Sequence, residues 1–239
     1  MKRFIILGLP RSGSTYLMSL LNAHPKILCS GEQFNPYAVV GVTAKDDSHQ
    51  SVIRRDTDPL GFCTGFFDEA QRQSFDCAGF KLMIGHNIEV LQGIANDPDV
   101  MILYVWRENR LAQASSWIKA LATRNWAQTR PDAQISQKIH ATPRQISQHW
   151  HEFASYDYLI APWLKGLKNK QITLEYKELF RPDFSARICD FLGVEPDAAM
   201  KSALVKQNVN MISDRFEDPK PIRFYFTTIG KACWLGAEL

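Results

Sequence analysis

The chain has 239 residues, enough for one domain or a domain with insertions that buries most of its apolar surface. With 45% hydrophobic and 22% charged residues the composition is globular, and a net charge of +3 is too small to argue for nucleic acid or an anionic membrane as partner. Cys29, Cys63, Cys77, Cys189 and Cys233 are odd in number and form no Cys-x-x-Cys pair, which argues against a disulfide framework or a zinc cage and for a reducing compartment.

The first apolar run, Phe4–Leu7, follows Met1-Lys2-Arg3 in the manner of a secretion signal, but its apolar stretch is too short and meets Pro10-Arg11 without a cleavage signal. It reads as a buried strand. No stretch reaches the roughly 20 apolar residues of a membrane span, so a soluble, cytoplasmic protein is expected. Gly8-Leu9-Pro10-Arg11-Ser12-Gly13-Ser14-Thr15 then has the spacing of a P-loop, with a helix expected over Thr15–Asn22. Backbone N–H groups from Arg11 to Tyr16 and the positive end of that helix make an anion cradle, to which Ser14 and Thr15 add hydroxyls and Arg11 a guanidinium fork. The lysine that normally follows the second glycine is replaced by Ser14, which argues against ATP as donor.

Further strands are expected at Ile27–Ser30, Ala78–Met83, Val100–Trp106 and Ile172–Glu175, alternating with helices at Pro59–Ser74, Ile88–Asn96, Leu111–Ala122, Thr142–Leu167 and Asp183–Leu192. This alternation predicts an α/β fold, a P-loop-type parallel sheet of about five strands with helices on both faces, in a single domain. Polar segments near 41–58 and 124–142, the latter with a turn at Pro131-Asp132, read as loop or helical insertions.

Ligands of such sheets sit beyond the carboxyl ends of the strands, so those ends carry the candidates. After the second run, Glu32 follows Gly31 and can accept a proton from a bound hydroxyl. In and after the third, Lys81 sits within an apolar run, costly unless its ammonium reaches an anion, and His86 is a second proton acceptor. After the fourth, Arg107 and Ser115 can grip a second phosphate. That strand ends Tyr104-Val105-Trp106-Arg107 with no acid to organise a metal ion.

Taken together these motifs resemble the sulfotransferase superfamily, whose donor is 3′-phosphoadenosine-5′-phosphosulfate (PAPS). GLPRSGSTYL resembles its 5′-phosphosulfate loop in the arginine form of carbohydrate and tyrosylprotein sulfotransferases. The Arg107-x₇-Ser115 spacing is similar to its 3′-phosphate site. Leu174-Glu175-Tyr176-Lys177-Glu178-Leu179 with Phe191-Leu192-Gly193 resembles its YEDL…FLG segment, which implies Tyr176 beside the adenine. The resemblance covers about residues 3–193 and leans to bacterial enzymes of the nodulation-factor and lipopolysaccharide type, through the GEQFNP and FKLM stretches. It implies a metal-free transferase in which Glu32 is the base, with His86 as the alternative. Arg11, Ser12, Gly13, Ser14, Thr15 and Tyr16 hold the phosphosulfate, Lys81 contacts the sulfonate or the leaving oxygen, and the acceptor is a carbohydrate or glycolipid hydroxyl. Two features depart from the family: Arg11 replaces the cytosolic-type lysine, and the C-terminal glycine- and lysine-rich loop is not recognisable, with Lys206-Gln207-Asn208 or Ser213-Asp214-Arg215 as substitutes. A kinase-like phosphotransferase and a non-catalytic nucleotide-binding homologue are the competing readings. Aromatics between 117 and 163 (Trp117, Trp126, Trp150, Tyr156, Tyr158, Trp163) are expected mainly in a helical core, with some available to stack on sugars.

Overall fold

A computed structural model describes residues 1–127, 137–205 and 208–239. The expected turn at Pro131-Asp132 and the residues Lys206-Gln207 lie outside those described. In chain order the elements are β1 (Lys2–Gly8), α1 (Ser14–Asn22), β2 (Ile27–Ser30), β3 (Val39–Val40), β4 (Lys45–Asp46), α2 (His49–Thr57), α3 (Pro59–Arg72), β5 (Cys77–Met83) and α4 (Ile88–Ala95). There follow β6 (Val100–Trp106), α5 (Arg110–Thr123), α6 (Pro143–Lys165), β7 (Gln171–Glu175), α7 (Phe184–Leu192) and α8 (Pro219–Thr228). Among the described residues no helix is long and apolar enough to cross a membrane.

The chain divides into two compact units. The first comprises Met1–Leu9, Gly13–Trp106 and Lys165–Ser202, the second Pro10–Ser12, Arg107–Leu164 and Ala203–Leu239. The first unit holds the five-stranded sheet, ordered β2-β5-β1-β6-β7 with every pair parallel. Strands buried on both faces need unbroken apolar runs rather than alternation, and Phe4, Ile5, Ile6 and Leu7 are all fully buried. Each such side chain contributes about 1.5–3 kcal/mol. On one face Phe4, Ile6, Leu103 and Val105 pack with Leu17 and Leu21 of α1 and Phe184 and Ile188 of α7. On the other, Phe80 meets Phe66 and Phe67 of α3 edge-on or tilted.

Register decides which side chains reach α1. Lys81 is paired with Ile6, on the α1 face, and Met83 with Gly8, the last residue of β1. In the polar segment 41–58, β4 pairs antiparallel with β3, and α2 is a helix capped by Ser48, whose hydroxyl accepts from Ser51 N–H.

The second unit contains α5, most of α6, α8 and two short 3₁₀ turns, Ile212–Arg215 and Ala232–Leu235. Its core joins Leu111 and Ala112 to Ile146, Ile212, Phe216, Ile222 and Phe226, with Trp150 and Trp234 packed against them. Trp150 thus fulfils the expected core role, its ring 5.3 Å from Trp234, whereas Tyr158 is 79% exposed.

Candidate active site

In the first unit the chemistry-bearing residues meet at the carboxyl ends of β1, β2 and β5. Gly13 is the N-cap of α1 with φ 103°, a left-handed backbone that glycine adopts without strain. A Cβ there would also lie 2.7 Å from the Tyr176 ring, so space as well as dihedral requires glycine. Glycine offers no side chain to cap the helix, and α1 has neither a side-chain cap nor an acid in its first turn. Its leading amides therefore lack a side-chain cap, and such a helix terminus is a donor set that suits an anion. Ser14 Oγ touches only the weak acceptor Met83 Sδ, at 3.9 Å, in the contacts seen. These features fit a phosphosulfate held at the helix terminus.

Lys81 projects from the middle of β5 and is 5% exposed. Its ammonium donates to Thr15 Oγ1 at 2.7 Å and pairs with Glu32 Oε1 at 2.9 Å. The cost of burying a lysine within an apolar strand is offset by those two contacts. Asn35 donates to Glu32 Oε2 at 2.7 Å, and His86 Nε2 stands 3.8 Å from the same oxygen, beyond hydrogen-bond length. Glu32, Lys81, Thr15 and His86, 71 residues apart at most, are thus brought together. Burial pushes the Glu32 carboxyl up, but Lys81, Asn35 and His86 outweigh it and hold the group below its ordinary value. Burial pulls His86 down to about 4, with Lys81 and Arg55 acting the same way and Glu32 opposing. Near neutral pH the pair is a carboxylate beside a neutral imidazole whose Nδ1 is buried without a hydrogen-bond partner among the described residues.

Tyr176 packs its ring on Gly13 rather than projecting freely, and is 8% exposed. It opens a 3₁₀ turn, Tyr176–Phe180, closed by reciprocal caps: Glu175 accepts from Lys177 N–H, and Glu178 accepts from Glu175 N–H at 2.7 Å. Tyr16, Phe180 and Tyr176 form an aromatic run, with centroids 4.6 and 5.1 Å apart.

The second unit carries Arg11 and Ser12 of the loop together with Arg107 and Ser115. Arg11, at φ 63°, donates from Nε to Ser116 Oγ at 2.9 Å and from Nη1 to the Trp126 carbonyl at 2.7 Å. Ser12 Oγ is buried with no hydrogen-bond partner among the described residues. Arg107 donates to the Arg11 carbonyl at 2.9 Å, a contact within this unit. The rest of its fork lies bidentate on Glu238, Nε to Oε1 at 2.6 Å and Nη2 to Oε2. Ser115 Oγ donates to the Ala112 carbonyl at 3.1 Å and accepts from Arg215 Nη1 at 3.1 Å. Arg215 also approaches Glu238 Oε2, at 3.5 Å. Asn208 Nδ2 reaches Ser116 Oγ at 3.3 Å.

Sequence reasoning missed Asn35, Glu238 and Arg55. Asn35 lies three residues from Glu32 in an Asn-Pro turn, a signal present but unread. Glu238 had none, since 131 residues separate it from Arg107.

Residues 3–71 match the family model described as Sulfotransferase family. Nodulation protein H of Rhizobium meliloti (strain 1021) is 23% identical over 230 residues, 93% of this chain and 90% of that protein. A sulfotransferase from Alicyclobacillus acidocaldarius has a TM-score of 0.52 at 14% identity, covering 100% of this chain and 97% of that one. The sulfotransferase domain of the Synechococcus PCC 7002 olefin synthase has 0.50 at 16% identity, over 99% and 95%. Those two likenesses concern the fold, which is the helix-flanked, five-stranded parallel sheet described above. The family model over residues 3–71, the relative along most of the chain and the fold all point to sulfotransferases as what this chain is similar to.

Proposed function

We propose that the protein moves a sulfuryl group from PAPS to a hydroxyl of a carbohydrate or glycolipid. The observation that carries this reading is the Thr15–Lys81–Glu32 chain of contacts, which sets a buried cation and a carboxylate beside an uncapped helix terminus. The α1 amides with Ser14 and Thr15 hold the 5′-phosphosulfate, and Lys81 neutralises charge growing on the oxygen that bridges sulfur and phosphorus. Glu32 takes the acceptor proton as the new sulfur–oxygen bond forms and the bridging bond breaks. His86, neutral and 3.8 Å away, is the alternative acceptor of that proton. Arg11 with Ser12 supports the loop, Arg107 and Ser115 hold the 3′-phosphate, and Tyr176 flanks the adenine. The carbohydrate class is favoured by the sequence likeness to nodulation-type enzymes.

Glu32→Gln tests the reading. A positioned base is worth roughly 10²–10⁴ in rate, so turnover should fall by that factor while the affinity for adenosine 3′,5′-bisphosphate holds. Near-normal turnover in this variant, assayed with PAPS and a sugar panel, rejects Glu32 as base. Stabilisation against heat by ATP with Mg²⁺ but not by the bisphosphate would instead mark a phosphotransferase.

A further inference from the structure

We propose that Glu238 is an internal competitor for the nucleotide's second phosphate, a role that rests on the assignment of Arg107 and Ser115 to that phosphate. The carboxylate of Glu238 lies on the fork of Arg107 and near Arg215, and Arg215 in turn bonds Ser115. A guanidinium fork matches the oxygens of a carboxylate and of a phosphate alike, so one planar anion already holds the place the other would take. All three ionic side chains are buried, with exposures of 0% for Glu238, 6% for Arg107 and 3% for Arg215. A phosphate gripping Arg107 through the same N–H groups must displace this carboxylate.

Charge favours the exchange. Two guanidinium groups face one singly charged carboxylate in this contact, whereas a phosphate monoester carries about −1.5 to −2. Hydrogen bonds join the strap that bears Glu238 to the segment around Asn210. Ile212 N–H donates to the Gly236 carbonyl at 3.1 Å, Glu238 N–H to the Asn210 carbonyl at 3.3 Å and Leu239 N–H to Asn210 Oδ1 at 3.0 Å. A single antiparallel bridge, Met211 to Ala237, accompanies them. A phosphate that takes over the N–H groups of the arginines replaces the ion pairs that hold the carboxylate, and the backbone pairing of the strap is of the short kind that is marginal by itself. The carboxylate therefore keeps both arginines aligned for an anion and lowers the affinity for the bisphosphate product, which hastens its release.

The test compares adenosine 3′,5′-bisphosphate with adenosine 5′-monophosphate, which lacks the second phosphate. Glu238→Gln should tighten the bisphosphate about ten-fold or more by calorimetry, the effect of removing a competitor that fills the grip nine-tenths of the time. The monophosphate affinity should not change. Unchanged or weaker bisphosphate binding overturns the proposal. The wild-type protein supplies a measurement independent of that variant's folding: hydrogen exchange at the amides of Ile212, Glu238 and Leu239 should quicken with the bisphosphate and not with the monophosphate. Equal or slower exchange at saturation also overturns it. Arg107→Ala separates the two layers of argument. If that variant binds the bisphosphate normally, the phosphate assignment falls and the competitor role with it. If it binds weakly while Glu238→Gln behaves as wild type, only the competitor role falls.

Discussion

Glu32 and His86 share one side of the site but titrate for different reasons, and this makes them separable. The carboxyl is held low chiefly by Lys81 and Asn35 against the opposing effect of burial, so it stays ionised below the usual carboxylate range. The imidazole, facing Glu32, Lys81 and Arg55, is held neutral by burial, with its folded value near 4 against 6.5 in a free chain. A histidine depressed in this way binds fewer protons folded than unfolded between those two values. Its contribution to stability is therefore present above about pH 6.5 and is lost as pH falls through 4, a change on the order of 3 kcal/mol. Thermal unfolding of the wild type should shift steadily downward across that window, and His86→Gln should flatten the shift while leaving stability at pH 8 nearly unaltered. An equally steep shift in the variant would place the titrating group elsewhere. The same substitution should leave kcat at neutral pH within a few-fold of wild type if Glu32 is the base.

Elements hold these residues at the right spacing. Helix α1 depends on Gly13, and Gly13→Ala would add about 1–2 kcal/mol of left-handed strain together with overlap on the Tyr176 ring. Denaturant unfolding should show a loss at least that large, and bisphosphate binding should weaken with it; an unperturbed midpoint would contradict the close packing of that ring. Helix α2 acts through Arg55, 2% exposed, whose Nη1 donates to the carbonyls of Gln33, Asn35 and Ala38 at 3.3, 2.6 and 3.2 Å. Those carbonyls belong to the segment that carries Glu32, so Arg55→Met should lower the melting temperature and, in the folded fraction, lower kcat without changing bisphosphate affinity. A melting temperature equal to wild type would show that the three carbonyls find other donors. The strands were legible because parallel strands buried on both faces require long apolar runs: Ile27–Ser30 and Val100–Trp106 read and fold with identical limits. Helix α2 was covered only by the broad expectation of a loop or helical insertion, because its sequence is polar and its one deeply buried residue is an arginine, satisfied by backbone carbonyls that no periodicity reveals.

Across the whole molecule the same distinction recurs between local and distant information. Gly13, Ser14, Thr15 and Lys81 were readable because a loop spacing or a charge in an apolar run marks them within a few residues. The Arg107–Glu238 and Arg215–Ser115 contacts, 131 and 100 residues apart, have no such mark and exist only once the chain has folded. Cysteine placement is a global property that the count alone bounded and the fold completes. Cys29, Cys63, Cys77 and Cys189 are buried and Cys233 is exposed, with all five free. Burial pushes the thiols of Cys63 and Cys77 up to about 12 and that of Cys29 higher still, while Cys189 is raised as well. At pH 8 a thiol at 12 is ionised in about one molecule in ten thousand, and the reactive species is the thiolate. A chromogenic disulfide reagent should therefore titrate one fast thiol in the native protein, absent in Cys233→Ser, and five in denaturant. Two or more fast thiols at native pH would show that the sheet opens on the reagent's timescale. The slow phase of the remaining four reports global unfolding directly, because Cys29 and Cys77 sit on adjacent strands β2 and β5 and become accessible only when the sheet comes apart.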